Sequence, residues 1–164
     1  MRVGRLTLSD RAANGVYEDL SGPEIERVIA ELFDEEIEFI RSVLPDEQEA
    51  VERELLELVD NDNCPLVITT GGTGPSARDV TPEATRMVIE KELPGFGEIM
   101  RMHSFAKVKT AILSRGLAGI RGKSLIINLP GRPSAIEEIL PILGPAIAEA
   151  LDHVAGFRPR LKIS

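Results

Sequence analysis

The chain has 164 residues, a formal net charge of −8, 4% aromatic residues, no tryptophan and one cysteine. That length fits one domain with a sizeable core, while scarce aromatics and an acidic balance argue against base-stacking platforms and against nonspecific nucleic-acid or membrane-surface binding. The single Cys64 excludes an internal disulfide or a Cys-cluster zinc site, and no apolar run is long enough to span a bilayer or to act as a secretory leader after Met1; a cytoplasmic protein is the expectation.

Val3 to Leu8 reads as the first strand. It ends in Ser9-Asp10-Arg11 and a long loop through Asp19, and long loops at strand ends are often functional. Two readings stay open on spacing alone: a pocket wall, or local turn bonds from Ser9 and Asp10 with Arg11 solvated. Ser21 and Glu24 have capping-box spacing. Ile25, Val28, Ile29, Leu32 and Phe33 then mark one helical face. Glu36 to Val43 predicts a second strand. Asp46 and Glu49 form another capping-box match before a helix through Val51, Leu55, Leu58 and Val59. Spacing favours Asp46 as its N-cap, worth ~1 kcal/mol, over a residue facing a site. Asp60 to Pro65 reads as a turn, with Cys64 a packed, inert thiol.

Leu66-Val67-Ile68 has the pattern of a buried strand. Thr69 to Pro82 follows, a loop holding Thr70, Gly71, Gly72, Thr73, Gly74, Arg78 and Asp79 before a helix start in which Thr81 caps and Pro82 takes the first position. Glycines let a ligand approach backbone N–H groups, inward N–H groups bind anions, Arg78 supplies charge, and Asp79 supplies a base or metal ligand. Phosphate is the natural guest. The stretch lacks the lysine of a Walker A loop. Gly72 to Ala77 matches G-x-G-x-x-A, but the helix signal waits until Thr81. Moreover, ~20 positions on, where a dinucleotide site needs an acidic strand end, stands Pro94-Gly95-Phe96-Gly97.

Ala84, Met87 and Val88 are expected inward. Residues 92–97 break the helix, and Glu98 to Phe105 resumes it with Ile99, Met100 and Met102 packing. His103 and His153 lack ligand-like spacing. Lys107, Lys109 and Arg115 can face an anionic ligand or form a solvated basic face, the second being favoured, while Thr110 to Leu113 reads as a strand and Gly116 to Gly122 as a turn-rich link. Ser124 to Leu129 is a second buried strand. It leads through Gly131 and Arg132 to a helix capped by Ser134 and kinked or split by Pro141 and Pro145. Residues 1–156 form the expected domain and 157–164 a basic tail. Alternating strands and helices predict an α/β fold with a mostly parallel sheet covered on both faces. Its strand ends, Ser9-Asp10-Arg11, Asp46, Thr70 to Asp79 and Gly131-Arg132, can converge on one rim. Such a pocket holds phosphate with arginines and Mg²⁺ with aspartates, which suits phosphoryl or nucleotidyl transfer or a nucleotide-binding module without chemistry.

Thr69-Thr70-Gly71-Gly72-Thr73-Gly74, Arg78-Asp79-Val80-Thr81-Pro82-Glu83, Leu129-Pro130-Gly131, Ser9-Asp10-Arg11 with Gly15-Val16-Tyr17, Pro45-Asp46-Glu47, Pro94 to Glu98 and Ala111 to Arg115 together resemble the molybdenum-cofactor biosynthesis family. That family includes bacterial molybdopterin adenylyltransferases, MoaB-type proteins and the G domain of gephyrin. The resemblance covers nearly the whole chain. It implies a three-layer α/β/α domain assembling as a homotrimer, with hexamers in some members. It implies transfer of AMP from Mg-ATP to the terminal phosphate of molybdopterin, then hand-over to the molybdate-insertion enzyme. By the same resemblance, Asp46 and Asp79 match functional aspartates, with Asp79 expected to help hold Mg²⁺ on the ATP phosphates and Asp46 to position the metal or the attacking phosphate. Gly71, Gly72, Thr73 and Gly74 match the phosphate loop, and Ser9, Asp10, Arg11, Gly131 and Arg132 match other pocket motifs. The chain is shorter towards its C-terminus than the longer adenylyltransferases, as MoaB-type members are. A noncatalytic pterin-binding or scaffold protein is therefore the rival reading, and a different phosphotransfer enzyme on the same loop is the next.

Overall fold

In the computed structural model, which describes residues 1–162, the chain opens with β1 (Arg2–Leu8), the single turn α1 (Asp10–Ala13), α2 (Ser21–Leu32), β2 (Glu38–Leu44) and α3 (Gln48–Leu56). A π-helical turn, Glu57–Asn61, continues α3. Then come β3 (Leu66–Thr70), α4 (Thr81–Val88), β4 (Lys91–Glu92), α5 (Pro94–Lys107), a 3-10 turn (Lys109–Leu113), β5 (Ala118–Arg121), β6 (Ser124–Leu129) and α6 (Pro133–Ala155). One six-stranded sheet runs in the order β2-β1-β3-β6-β5-β4. The first four strands are parallel, and β5 and β4 are each antiparallel to their neighbours.

The continuous apolar runs go to the centre, as strands buried on both faces must. Every residue of β3 and β6 is buried. Side chains alternate across the sheet. Val3, Leu66, Ile68, Leu125 and Ile127 pack under α2, α5 and α6, while Leu6, Leu8, Val67 and Ile126 pack under α3 and α4. These are the three α/β/α layers the sequence predicts. Each fully buried Leu or Ile contributes roughly 1.5–3 kcal/mol.

Several local expectations are corrected. Residues 109–113 form a 3-10 turn, not a strand, and residues 118–121 form β5 inside the expected link. β5 turns back onto β6 through Gly122 and Lys123, with Gly122 at φ +53°. A two-residue reversal of this kind needs a left-handed position. α6 runs unbroken through Pro141 and Pro145. Met87 and Met102 point outward, while Met100 is buried. Cys64 is packed, and burial pushes its thiol up to about 12. At the C-terminal end, Asp34 N–H donates to Arg160 O and Lys162 N–H to Leu32 O, so residues 157–162 lie back along the end of α2. Ile163 and Ser164 of the expected tail lie outside the described residues.

The predicted helix caps are not formed. Ser21, Asp46, Thr81 and Ser134 make no capping bond at α2, α3, α4 or α6. At α2 the role falls to Asp19, whose Oδ1 accepts the Gly22 N–H at 2.9 Å. Its Oδ2 takes Arg5 Nη1 at 2.7 Å and the Thr7 hydroxyl at 2.9 Å. Spacing could not show that an arginine inside a strand would recruit an acid from the loop.

Candidate active site

β1 and β3 are neighbours, yet the chain leaves β1 for α2 on one face and β3 for α4 on the other. This divergence opens a crevice at the carboxyl ends of the strands, the usual ligand position in open α/β sheets. Ser9 and Asp10 follow β1, Asp46 follows β2, Gly71 to Asp79 follow β3, and Gly131 follows β6.

Gly71 turns out of β3 at φ +92°, and a Cβ there would meet Leu8 O at 2.3 Å. Gly72 follows at φ +64°, where a Cβ would meet Thr81 Oγ1 at 2.3 Å and Asp46 Oδ1 at 3.0 Å. The loop carbonyls are tied down in succession. Thr81 donates its hydroxyl to Gly71 O at 2.9 Å and its N–H to Gly72 O at 3.1 Å, and Arg115 N–H donates to Thr73 O at 2.8 Å. The N–H of a trans peptide points opposite to its C=O. The N–H groups of Gly72, Thr73 and Gly74 therefore face away from α4 and Arg115. None of the three donates to a protein acceptor among the described residues. Three such adjacent donors suit an anion.

Carboxylates stand beside them. Asp10 N–H donates to Asp46 Oδ2 at 3.1 Å, and Asp46 N–H donates to Asp10 Oδ1 at 3.0 Å. Arg78 grips Asp10 through two bonds, 3.0 and 2.6 Å, and holds that carboxyl below the usual range. Asp46 behaves oppositely. Burial pushes its carboxyl up, and the charges of Asp10 and Asp79 reinforce the rise against the Asp10 N–H and Arg78. Asp79 Oδ2 accepts the Ser76 N–H at 3.0 Å and lies against Gly74, where an added Cβ would sit 2.8 Å away. The structure thus joins Asp10, Asp46, Arg78 and Asp79 with the glycine loop.

The other candidates lie around this centre. Ser9 Oγ accepts the Ala12 N–H at 3.2 Å, a local turn bond, while also lining the crevice. Arg11 is exposed and forms no ion pair among the described residues. Thr70 is buried, its hydroxyl donating to Pro130 O at 2.8 Å. A Cβ on Gly131 would lie 3.4 Å from Gly71 Cα, so the two turns touch. Gly131 borders two cavities. One, of about 150 Å³, lies on the β1 side among Thr7, Ser9, Tyr17, Asp19 and Gly71. The other, of about 410 Å³, lies towards α5 and α6 among Thr73, Gly74, Arg101, Lys107, Ser114 and Arg132. Asp46 and Asp79 line neither.

Arg115 is the residue that sequence reasoning missed. The basic stretch around it reads as a solvated face, but Arg115 donates to Gly74 O and Asp79 O, both at 2.8 Å, and pairs with Glu83. No local spacing connects it to a loop some forty residues earlier.

Gly71→Ala is expected to cost at least ~2–3 kcal/mol of stability, read by urea denaturation, because backbone strain adds to a collision with Leu8 O. Gly15→Ala has a similar φ of +69° with nothing within 4 Å of the added Cβ, and should cost only about 1 kcal/mol.

Residues 4–149 match the family described as probable molybdopterin binding domain. A Helicobacter pylori (strain J99) protein named molybdopterin adenylyltransferase is 53% identical over 156 residues, 95% of this chain and 89% of the relative. The Escherichia coli K12 protein of the same name is 42% identical over 184 positions, covering 98% of this chain and 94% of the relative. That span exceeds the length of this chain, so the E. coli relative carries inserted segments. Among solved structures, the molybdopterin biosynthesis enzyme MoaB of Thermus thermophilus superimposes with a TM-score of 0.89 at 39% identity, covering 97% of this chain and 99% of that one.

Proposed function

The chain belongs to the molybdopterin-binding domain family, and on that premise we propose that it is a molybdopterin adenylyltransferase, joining AMP from Mg-ATP to the terminal phosphate of molybdopterin and releasing pyrophosphate. The observation that carries this reading is the row of three free N–H groups at Gly72, Thr73 and Gly74 beside the Asp46–Asp79 carboxylates. A nucleotidyl transfer needs such a row to orient phosphate oxygens and needs carboxylates nearby to organise their counter-charge. A terminal phosphate oxygen of molybdopterin forms a bond to the α-phosphorus of ATP, the bond from that phosphorus to the bridging oxygen breaks, and pyrophosphate leaves with the electron pair. The nucleophile is already anionic, so no strong base is required.

The donor set fits Mg²⁺. Asp46 and Asp79 offer hard carboxylate oxygens beside the loop, the charge of Asp79 adding to the burial that raises Asp46, and Mg²⁺ is commonly held by one or two carboxylates plus substrate phosphates. Asp79 and Asp46 would hold it, and it would supply charge neutralisation at the phosphates. The loop N–H groups bind phosphate oxygens. Arg78 turns from Asp10 towards added phosphate charge. Thr70, Ser9 and Gly131 line the smaller cavity, Arg132 adds positive charge to the larger one, and exposed Arg11 adds it just beyond β1.

Two cavities meeting at one phosphate loop suit a reaction between two phosphate-bearing ring compounds. Tyr17 lines the smaller one and is the chain's only tyrosine, with no tryptophan present. Its fluorescence is therefore expected to fall when the ring of either ATP or molybdopterin enters that slot, and to stay constant with inorganic pyrophosphate.

Ile99, Met102, Phe105, Ile112, Leu113 and Ile142 are large exposed apolar side chains on α5, the following 3-10 turn and α6. Covering them between copies supports a homotrimer, to be measured by light scattering, with the product passed to a molybdate-insertion enzyme in the cytoplasm. Among the described residues no helix is long and apolar enough to cross a membrane.

The rival is a noncatalytic pterin-binding protein of the same family. Against it, the H. pylori relative has the adenylyltransferase name without needing an alignment longer than this chain. Purified protein given molybdopterin and Mg-ATP should release pyrophosphate in step with the molybdopterin supplied. Molybdopterin binding without pyrophosphate release would favour the rival.

A further inference from the structure

We propose that Arg115 is a positioning residue whose side chain ties Gly74 to Asp79 from behind the loop, and so holds the phosphate-facing N–H groups and the Asp79 carboxylate in one arrangement that phosphate binding needs. This rests on the reading of the glycine loop as a phosphate site. A phosphate loop works only if its carbonyls are held to one side, because each trans peptide then turns its N–H to the other. Thr81 holds the carbonyls of Gly71 and Gly72. Beyond them the loop has no strand or helix to order it until α4, and Pro75 removes a further backbone donor. Arg115 supplies the missing partners. Its main-chain N–H holds Thr73 O at 2.8 Å, a bond any residue there keeps, while its side chain adds two more: Nε holds Gly74 O at 2.8 Å, and Nη2 holds Asp79 O at 2.8 Å.

The side chain thereby clamps both ends of the segment from Gly74 to Asp79. The first end adjoins the Gly74 N–H, whose own direction is set by the main-chain bond to Thr73 O, and the second carries the Asp79 carboxylate. The guanidinium is itself aimed by Glu83 in the first turn of α4, whose carboxyl it holds below the usual range. A planar fork of fixed donors can hold two carbonyls and a carboxylate together, and an ammonium cannot reproduce that geometry. Arg115 touches no reacting atom in this arrangement.

Arg115→Ala is expected to lower kcat on the order of 100-fold, the loss typical of a small misplacement set up away from the chemistry. Added guanidinium ion at millimolar concentration should restore part of that loss, which a general loss of folding would not allow. Inorganic pyrophosphate should bind about tenfold more weakly to the variant than to the wild type, measured by calorimetry. If Arg115→Ala does not fold, Arg115→Lys carries the test: it keeps the charge, loses the fork, and should show the same direction of change in pyrophosphate affinity. Wild-type pyrophosphate affinity in a folded Arg115 variant would overturn the proposal, as would a kcat loss that guanidinium does not relieve. If the wild type made no adenylylated molybdopterin, the proposed reaction would fail, while the pyrophosphate comparison would still decide the role of Arg115.

Discussion

Asp79→Asn should reduce turnover by on the order of 10³-fold while leaving the melting temperature within a degree or two of wild type. The two outcomes separate because Asp79 has two jobs. Its Oδ2 accepts the Ser76 N–H at 3.0 Å, and its backbone carbonyl accepts from Arg115. An asparagine oxygen can take the same Ser76 bond, so the loop keeps its shape. What is lost is the negative charge next to Gly74, and with it the counter-charge organisation that nucleotidyl transfer needs. The measurement is steady-state pyrophosphate release together with a thermal melt. Near-wild-type turnover would remove Asp79 from the mechanism. A large fall in melting temperature would make its role structural.

Asp46→Asn should raise stability and lower activity together. Folding moves the Asp46 carboxyl above its ordinary value of about 3.8, chiefly through burial and secondarily through the charges of Asp10 and Asp79. The folded state therefore holds that proton more tightly than the unfolded state. Stability falls as pH rises through the ordinary value and on through the raised folded value, and at neutral pH the charged group opposes folding. Asparagine removes that opposition and can still accept the Asp10 N–H. A small gain in melting temperature is expected at pH 7, reduced by solvent screening of this half-exposed carboxyl, and it should vanish below the ordinary carboxylate range, where Asp46 is protonated in both states. Turnover should fall 10²–10³-fold. Destabilisation at pH 7 would contradict the account of Asp46 as a functional charge held at a cost to folding.

These two aspartates also show where the sequence was readable. The glycine loop, the strand before it and the helix after it are visible locally, because left-handed turns require glycine and buried parallel strands require unbroken apolar runs. The layered fold follows from the alternation of such runs with helical periodicity. Asp46 was harder. Its spacing matches a helix cap, and only the approach of β1 to β2 shows that its side chain turns instead to the Asp10 N–H. Asp19 and Arg115 were hidden for the same reason. Each meets its partners through tertiary contacts: Asp19 with Arg5 and Thr7 on β1, Arg115 with the loop after β3. The antiparallel β5 escaped because its four-residue run, set between Gly116 and Gly122, lacks a strand signature, and pairing with β6 and β4 gives it order. The unbroken α6 shows packing against α2 and the sheet overriding two prolines.

The most direct test uses ATP labelled with ³²P at the α-phosphate, incubated with the purified protein, molybdopterin and Mg²⁺. Label is expected to move to molybdopterin with equimolar release of unlabelled pyrophosphate, and both should stop when Mg²⁺ is chelated. Label that stays on ATP while molybdopterin is bound would contradict the transfer and leave a pterin-binding protein.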